Sequence, residues 1–342
     1  MAKMLWKIFT RAGGIAYFAW MWFLCATVAN GATPQELIEG AKRERELVLY
    51  ASLTLEEANV ILPKFEAKYP FLKVQFARAG SERLLTRVLT EARAKKSFAD
   101  VVQTVEFSMH TLKAKGVLGR YNPTEGGVYP KDFKEDDFWT TFYYHPYVVA
   151  YNKNLLRQAN VPKTYADLLN PAWKNKMMME GTKVDWFAGM LQIMGRENGL
   201  RFMRELAKQE ILQRTGHSLI AQLVAAGEAV FDINIPVASV NRLRDAGAPI
   251  DWIAPGPVPA IMIGVGVTAQ PLHPNAARLY VDYVLSKEGQ AIMRGFHRLS
   301  ARTDVAQEQA ALMKDLRIVP VNPNLADQID EYAKLLRETF SK

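Results

Sequence analysis

The sequence predicts an α/β protein of two lobes, each a βα-wound sheet with helices on both faces, joined by a hinge. Three observations carry this. Strand-length apolar runs alternate with amphipathic helical segments; the alternation stops at a stretch rich in Pro, Gly and acids from Asn122 to Asp137 and then resumes; and two longer apolar runs link the halves.

The elements follow in order. Thr33-Pro34-Gln35-Glu36 has the threonine cap, first-position proline and third-position glutamate of a helix start, and helix is expected to about Glu46. Leu47 to Tyr50 is a strand. Thr54-Leu55-Glu56-Glu57 is a second capping box opening a helix that Pro70 stops near Tyr69. Leu72 to Phe76 then reads as strand, Ser81 to Lys95 as a helix with Leu84, Leu85, Val88 and Leu89 on one face, Asp100 to Gln103 as strand and Phe107 to Lys115 as helix. Such spacing predicts right-handed crossovers on a parallel sheet. Beyond the break, Tyr147 to Tyr151 is a long strand. Lys176 to Glu180 and Ala229 to Ile233 are strands, Val184 to Glu197 and His217 to Ala226 helices, and a further helix starts beside Asn234 and Pro236. Ala260 to Ala269 is the second long strand, followed by helices at Pro274 to Ser286, Lys287 to Gly295 and Leu325 to Phe340.

The 342 residues are 49% hydrophobic and 23% charged, which excludes a disordered or fibrous chain and leaves room for substantial cores. The formal charge is +8, but no Lys/Arg run interleaved with aromatics appears, so nucleic acid is not an expected partner. Residues 1–31 read as a secretory signal: Lys3, Lys7 and Arg11 without an acid, an apolar run from Ile15 to Val28, then Ala29, Gly31 and Ala32. An uncleaved anchor is the other reading of this span. Cleavage near residues 29 to 32 would remove three positive charges and Cys25, the only cysteine; Leu24 before it does not suit lipid attachment.

In open sheets ligands sit beyond the carboxyl ends of strands, where helix N-termini present free N–H groups. Those positions are Ser52 and Thr54, Gly80 and Ser81, Thr104 and Glu106, then Gly181, Thr182 and Lys183, and Asn234. They come from both halves and predict an interlobe cleft. Each also has a structural reading: Thr54, Ser81 and Glu106 as helix caps, Lys183 as a solvated charge, and Asn234 as the cap of the helix that follows. Tyr143 and Tyr144, just before the first long strand, are either core aromatics or a platform at the cleft mouth, and Tyr144 is counted with the candidates. No catalytic residue or cofactor is expected. His110, His145, His217, His273 and His297 are scattered without zinc-site spacing, and no nucleophile elbow or phosphate loop occurs. Gly264-Val265-Gly266 falls within a strand and marks flexible or tightly packed backbone, and Met177-Met178-Met179 reads as core filling rather than a soft-metal site.

Five segments are similar to the periplasmic solute-binding proteins of ABC importers, in the type II branch that includes the ferric-iron binding proteins. They are Leu47 to Ser52; Phe98 to Val102; Val148 to Asn152; Tyr165-Ala166-Asp167-Leu168-Leu169-Asn170-Pro171-Ala172-Trp173-Lys174; and Ser286-Lys287-Glu288-Gly289-Gln290. The resemblance implies the two-lobed periplasmic-binding-protein fold, with 32–146 and 262–300 in lobe 1 and 147–261 and 301–342 in lobe 2. It also implies a monomer in the periplasm that captures one small solute and delivers it to an ABC permease in the inner membrane. Ferric members hold iron through two adjacent tyrosines; aligned from Glu228-Ala229-Val230, those positions are Ile235 and Pro236, and the histidine of some members falls near Thr54. No metal ligand is therefore named. With Arg78, Arg83 and Lys183 near the cleft loops, the expected solute is a small organic or phosphorylated anion, and polyamines and other cations are disfavoured for want of clustered acids. A ferric ion or ferric chelate is the alternative, and a ligand-binding subunit of a periplasmic sensor a further one.

Overall fold

The computed structural model describes residues 34–96, 98–157, 160–305, 314 and 316–341. The targeting segment expected over residues 1–31 and the Thr33 cap lie outside the described residues. Helix α1 is Pro34–Glu44, β1 Glu46–Ala51, α2 Leu55–Lys68, β2 Lys73–Arg78, α3 Ser81–Arg93, β3 Val101–Val105 and α4 Glu106–Ala114. After short 3-10 turns come β4 Lys134–Glu135 and β5 Trp139–Asn152, then β6 Met177–Glu180, α5 Val184–Met194, α6 Arg196–Ala207, β7 Leu212–Arg214, α7 His217–Ala226, β8 Phe231–Pro236 and α8 Val237–Asp245. The chain continues through β9 Ile250–Ile253, β10 Val258–Val267, α9 Pro274–Leu285, α10 Lys287–Arg294, β11 Ile318–Pro320 and α11 Ile329–Phe340.

The strands run in the order β2-β1-β3-β10-β5-β8-β6-β7, with β11 beside β10 and β4 and β9 beside β5. The expected parallel winding is present within each half: β1 pairs in parallel with β2 and β3, and β6 with β7 and β8. The two long strands break it. β10 runs antiparallel to both β3 and β5, because each returns across the fold rather than arriving through a helical crossover.

Strand β5 joins the halves. Its residues up to Pro146 pair with β10, and from Tyr147 onward they pair with β8 and β9. The two groups of strands are the two lobes, and β5 passes from one to the other. The last segment touches both: β11 extends β10, while α11 packs on α5 and α6.

The period of two along strands divides the core. In β6, Met177 and Met179 enter the large apolar cluster and Met178 enters a second one with Val148, Ile220, Val224 and Ile235. Gly264 lies in β10 where a Cβ would stand 2.7 Å from the Trp139 ring, so the close strand-to-ring approach requires glycine. The helix expected over Val184 to Glu197 is two helices, since Gly195 with φ 77° turns the chain between α5 and α6. The short β7, β9 and β11 carry too few periodic residues to be read from sequence, and α6 continues the apolar spacing of α5.

Candidate functional site

Polar groups from both lobes meet in a buried seam beside β5. From the first lobe, α4 begins with Glu106 directly after β3. Its Oε2 accepts the Met262 amide of β10 at 3.0 Å, and its Oε1 is buried with no hydrogen-bond partner. From the second lobe, β6 ends at Glu180, which accepts the Thr182 hydroxyl at 3.0 Å; Lys183 then heads α5 and Asp185 lies in its first turn. Lys183 Nζ crosses to Glu82 Oε1 in the first turn of α3, at 3.5 Å.

Strand β5 lines the seam with alternate side chains. The rings of Tyr143, His145 and Tyr147 follow one another at 6.0 and 5.4 Å, and Tyr147 continues to the His217 ring at the head of α7, with its hydroxyl 3.0 Å from Nε2. Arg298 lies 4.9 Å over the Tyr143 ring and donates to Glu57 Oε1 at 2.6 Å. Glu57 also completes the capping box with Thr54, so the cap read from sequence is present and tied to a buried ion pair.

Burial dominates the electrostatics. It pushes Glu106 well above the carboxylate range, the nearby Asp185 carboxylate adding to it against the pull of the Met262 amide and Lys183. Burial likewise raises Asp185 and Glu180 despite Lys183. For Lys183 burial acts in the opposite sense, but Asp185, Glu82 and Glu180 outweigh it and hold the ammonium charged. His145 and His217 are driven well below the histidine range, first by burial and then by Arg298 and Lys183, so both are neutral near pH 7. Their Nδ1 atoms have no hydrogen-bond partner.

Of the positions read from sequence, Glu106 and Lys183 meet in this seam. Thr104 is buried two residues before Glu106 with an unpartnered hydroxyl, and Ser52 binds the Gln103 carbonyl through its amide at 3.0 Å. Thr54 borders a cavity of about 20 Å³ between the lobes, together with Glu57, Ser218, Ser239, Arg242 and Arg298. Gly80, rather than Ser81, is the cap position of α3; Ser81 is its first helical residue and is buried. Gly181 and Thr182 form the turn between β6 and Lys183, with the Gly181 amide on the Arg214 carbonyl at 3.2 Å.

Two candidates are engaged elsewhere. Asn234 lies inside β8 rather than after it, and its side chain takes the Glu180 amide at 2.8 Å and donates to the Glu180 carbonyl at 3.0 Å, bridging β6 and β8 beyond the end of their ladder. The α8 cap position is Pro236, which has no side-chain hydrogen bond to give. Tyr144 projects from β5 on the face opposite Tyr143, its ring 5.1 Å from Phe133. The basic residues also disperse: Arg78 is exposed and turns its Nε to the Leu53 carbonyl at 2.8 Å, and Arg83 is exposed.

Sequence reasoning weighed His145 and His217 only as zinc ligands and did not single out Tyr147, Glu180 or Asp185. The signal for His145 and Tyr147 was the alternation Tyr143-His145-Tyr147. Asp185 and His217 stand in the first turns of second-lobe helices, beyond the strand-end positions taken as candidates.

Concavities of about 650 Å³ beside Tyr151, Arg244 and Trp252 and of about 490 Å³ beside Ile211 and Phe340 are not lined by the seam residues. Among the described residues no group of three or more His, Cys, Asp or Glu could hold a metal ion. The positions of the ferric members' tyrosines carry Ile235, buried and paired with Val148, and Pro236, paired with Tyr147.

The chain is similar to a probable ABC transporter periplasmic-binding protein, y4fP, of Sinorhizobium fredii, with 25% identity over 77% of this chain and 75% of that one. Iron-bound HitA of Pseudomonas aeruginosa shares the fold with a TM-score of 0.75 at 21% identity, over 86% of this chain and 99% of that one. AfuA of Actinobacillus pleuropneumoniae, with fructose 6-phosphate bound, does so at 0.74 and 22% identity, over 86% and 97%. These two likenesses concern the fold. The family of bacterial extracellular solute-binding proteins matches residues 96–331, more than half of the chain, and the chain belongs to that family.

Proposed function

We propose that the protein captures one small polar organic solute in the seam beside β5 and presents it, as a monomer in the periplasm, to an ABC permease of the inner membrane. The observation that carries this is the convergence of buried, incompletely paired polar groups from both lobes: Glu106 Oε1 from one side and His217 Nδ1 from the other, with His145 Nδ1 on the strand between. Buried polar atoms without partners are costly, and a solute that satisfies them binds the closed form more tightly than the open one. The role is binding, as in the relatives, not turnover.

The anion expected from sequence relied on three cations, of which Arg78 and Arg83 are exposed and Lys183 is matched by carboxylates. Direct ferric coordination lacks the tyrosine pair, and neither a chelate nor a sensor role has an observation of its own here. The reading is tested by thermal denaturation of the purified chain with and without amines, amino acids, organic acids, sugar phosphates and ferric citrate. A binding solute raises the midpoint by mass action, and His217→Ala removes that rise, measured from the variant's own unliganded midpoint. A rise unchanged in His217→Ala would move the site elsewhere.

A further inference from the structure

Resting on the seam as the solute site, we infer that the solute carries an organic ammonium group, received by the carboxylates of Glu106, Asp185 and Glu180. These three side chains are 0, 5 and 2% exposed and come from both lobes, Glu106 from the head of α4 and the other two from either side of the β6–α5 turn. Glu82 adds a fourth carboxylate at the rim.

The cations nearby do not balance them. Arg298 is engaged by Glu57 at 2.6 Å, and Lys183 alone faces Asp185, Glu82 and Glu180. Glu106 supplies an observation independent of this charge count: one oxygen is fixed by the Met262 amide, while the other is buried and accepts nothing. The charged side chains that act on Glu106 are Asp185 and Lys183, both from the second lobe.

Buried carboxylates that share Lys183 as their one nearby counter-ion are driven toward the protonated form, which is the direction burial takes Glu106, Asp185 and Glu180. An entering ammonium draws off those protons and pairs with the restored charge, whereas an entering anion finds Arg298 and Lys183 already facing carboxylates. The Tyr147 ring on the same strand suits an organic cation further. The protein's own charge thus selects against the citrate or sugar-phosphate type of solute and for an amine or amino acid.

The test is calorimetric titration of the purified chain with 1,4-diaminobutane, 4-aminobutyrate and choline, and in parallel with citrate, fructose 6-phosphate and ferric citrate. Binding of at least one ammonium solute is expected, weakened about tenfold or more in Glu106→Gln with little change in melting temperature. Should Glu106→Gln fold poorly, Asp185→Asn is expected to show the same loss. Binding should also release protons, seen as an enthalpy that depends on the buffer's ionisation heat. If an anion binds, is lost in His217→Ala, and no ammonium solute binds, the ammonium assignment falls while the seam stands. If an ammonium solute binds equally well to the parent, Glu106→Gln and Asp185→Asn, the assignment falls too. Failure of all six solutes overturns both readings.

Discussion

Lys183 Nζ at the head of α5 lies 3.5 Å from Glu82 Oε1 in the first turn of α3, an ion pair that spans the two lobes. One more ion pair crosses between the same halves, Arg242 of α8 with Glu56 of α2, and His297 Nε2 contacts Asp245 Oδ2 at 3.0 Å. Surface pairs contribute at most about 1 kcal/mol each and weaken with salt, but contacts acting together on one hinge are enough to bias it. We expect Lys183→Met to enlarge the radius of gyration of the unliganded chain in X-ray scattering, and high salt to do the same in the parent. A radius unchanged by both would show that these pairs do not hold the lobes together.

The pair of Glu57 and Arg298 joins local to tertiary structure, because Glu57 also accepts the Thr54 amide at 2.9 Å. Arg298→Met would leave Glu57 buried without its counter-ion, at a cost of about 3–5 kcal/mol, whereas Thr54→Ala removes a cap worth about 1 kcal/mol. Urea denaturation should reproduce that order. Burial opposes Glu57 ionisation, but Arg298 and the Thr54 bonds outweigh it and lower its pKa in the folded chain. Its stabilisation is therefore present above the unfolded carboxylate pKa and lost as pH falls through the lower folded value, below about pH 4.

Asp232 acts with the opposite sign. It is fully buried in β8, and burial pushes its pKa up to about 7. The unfolded chain ionises Asp232 near pH 3.9, so between about pH 4 and 7 the folded state holds the extra proton and stability falls as pH rises. Asp232→Asn keeps an acceptor for the Asn234 amide, which Oδ1 now binds at 3.1 Å. It should flatten this slope and raise stability at pH 8 by on the order of 1–3 kcal/mol, read from melting temperature against pH. An identical pH profile in the variant would contradict this account.

Asn234→Ala should act on stability before affinity. The amide bridges β6 and β8 through both backbone groups of Glu180. Removing it strands a buried N–H and carbonyl, at about 1–3 kcal/mol for each unsatisfied group. Denaturation midpoints should drop accordingly. A variant of parental stability with lost solute binding would instead place Asn234 in direct contact with the solute.

Much of the fold was legible because its signals are local. The capping box at Thr54, the periodic face of Leu84 and Val88, and the two long apolar runs each lie within a few residues, and the elements they predict are present within two or three residues except at β5, which begins eight residues before the expected run. The turn at Gly195 was not legible, since a helix that stops and restarts keeps its apolar spacing. Tyr144 shows the same limit within a strand. Two adjacent tyrosines look alike in sequence, and the pleat puts one beside Arg298 and the other against Phe133.

The sequence by itself determined the two α/β lobes, the long strands that link them and the family resemblance, because periodicity, caps and turn residues act through neighbours in the chain. Only the tertiary structure decided the character of the seam beside β5. Glu106, Asp185 and Glu180 are ordinary helix-start and strand-end carboxylates in the sequence. Folding buries them together, matches Lys183 against them and turns Arg78 away, and those desolvation and pairing energies depend on groups up to some 80 residues apart.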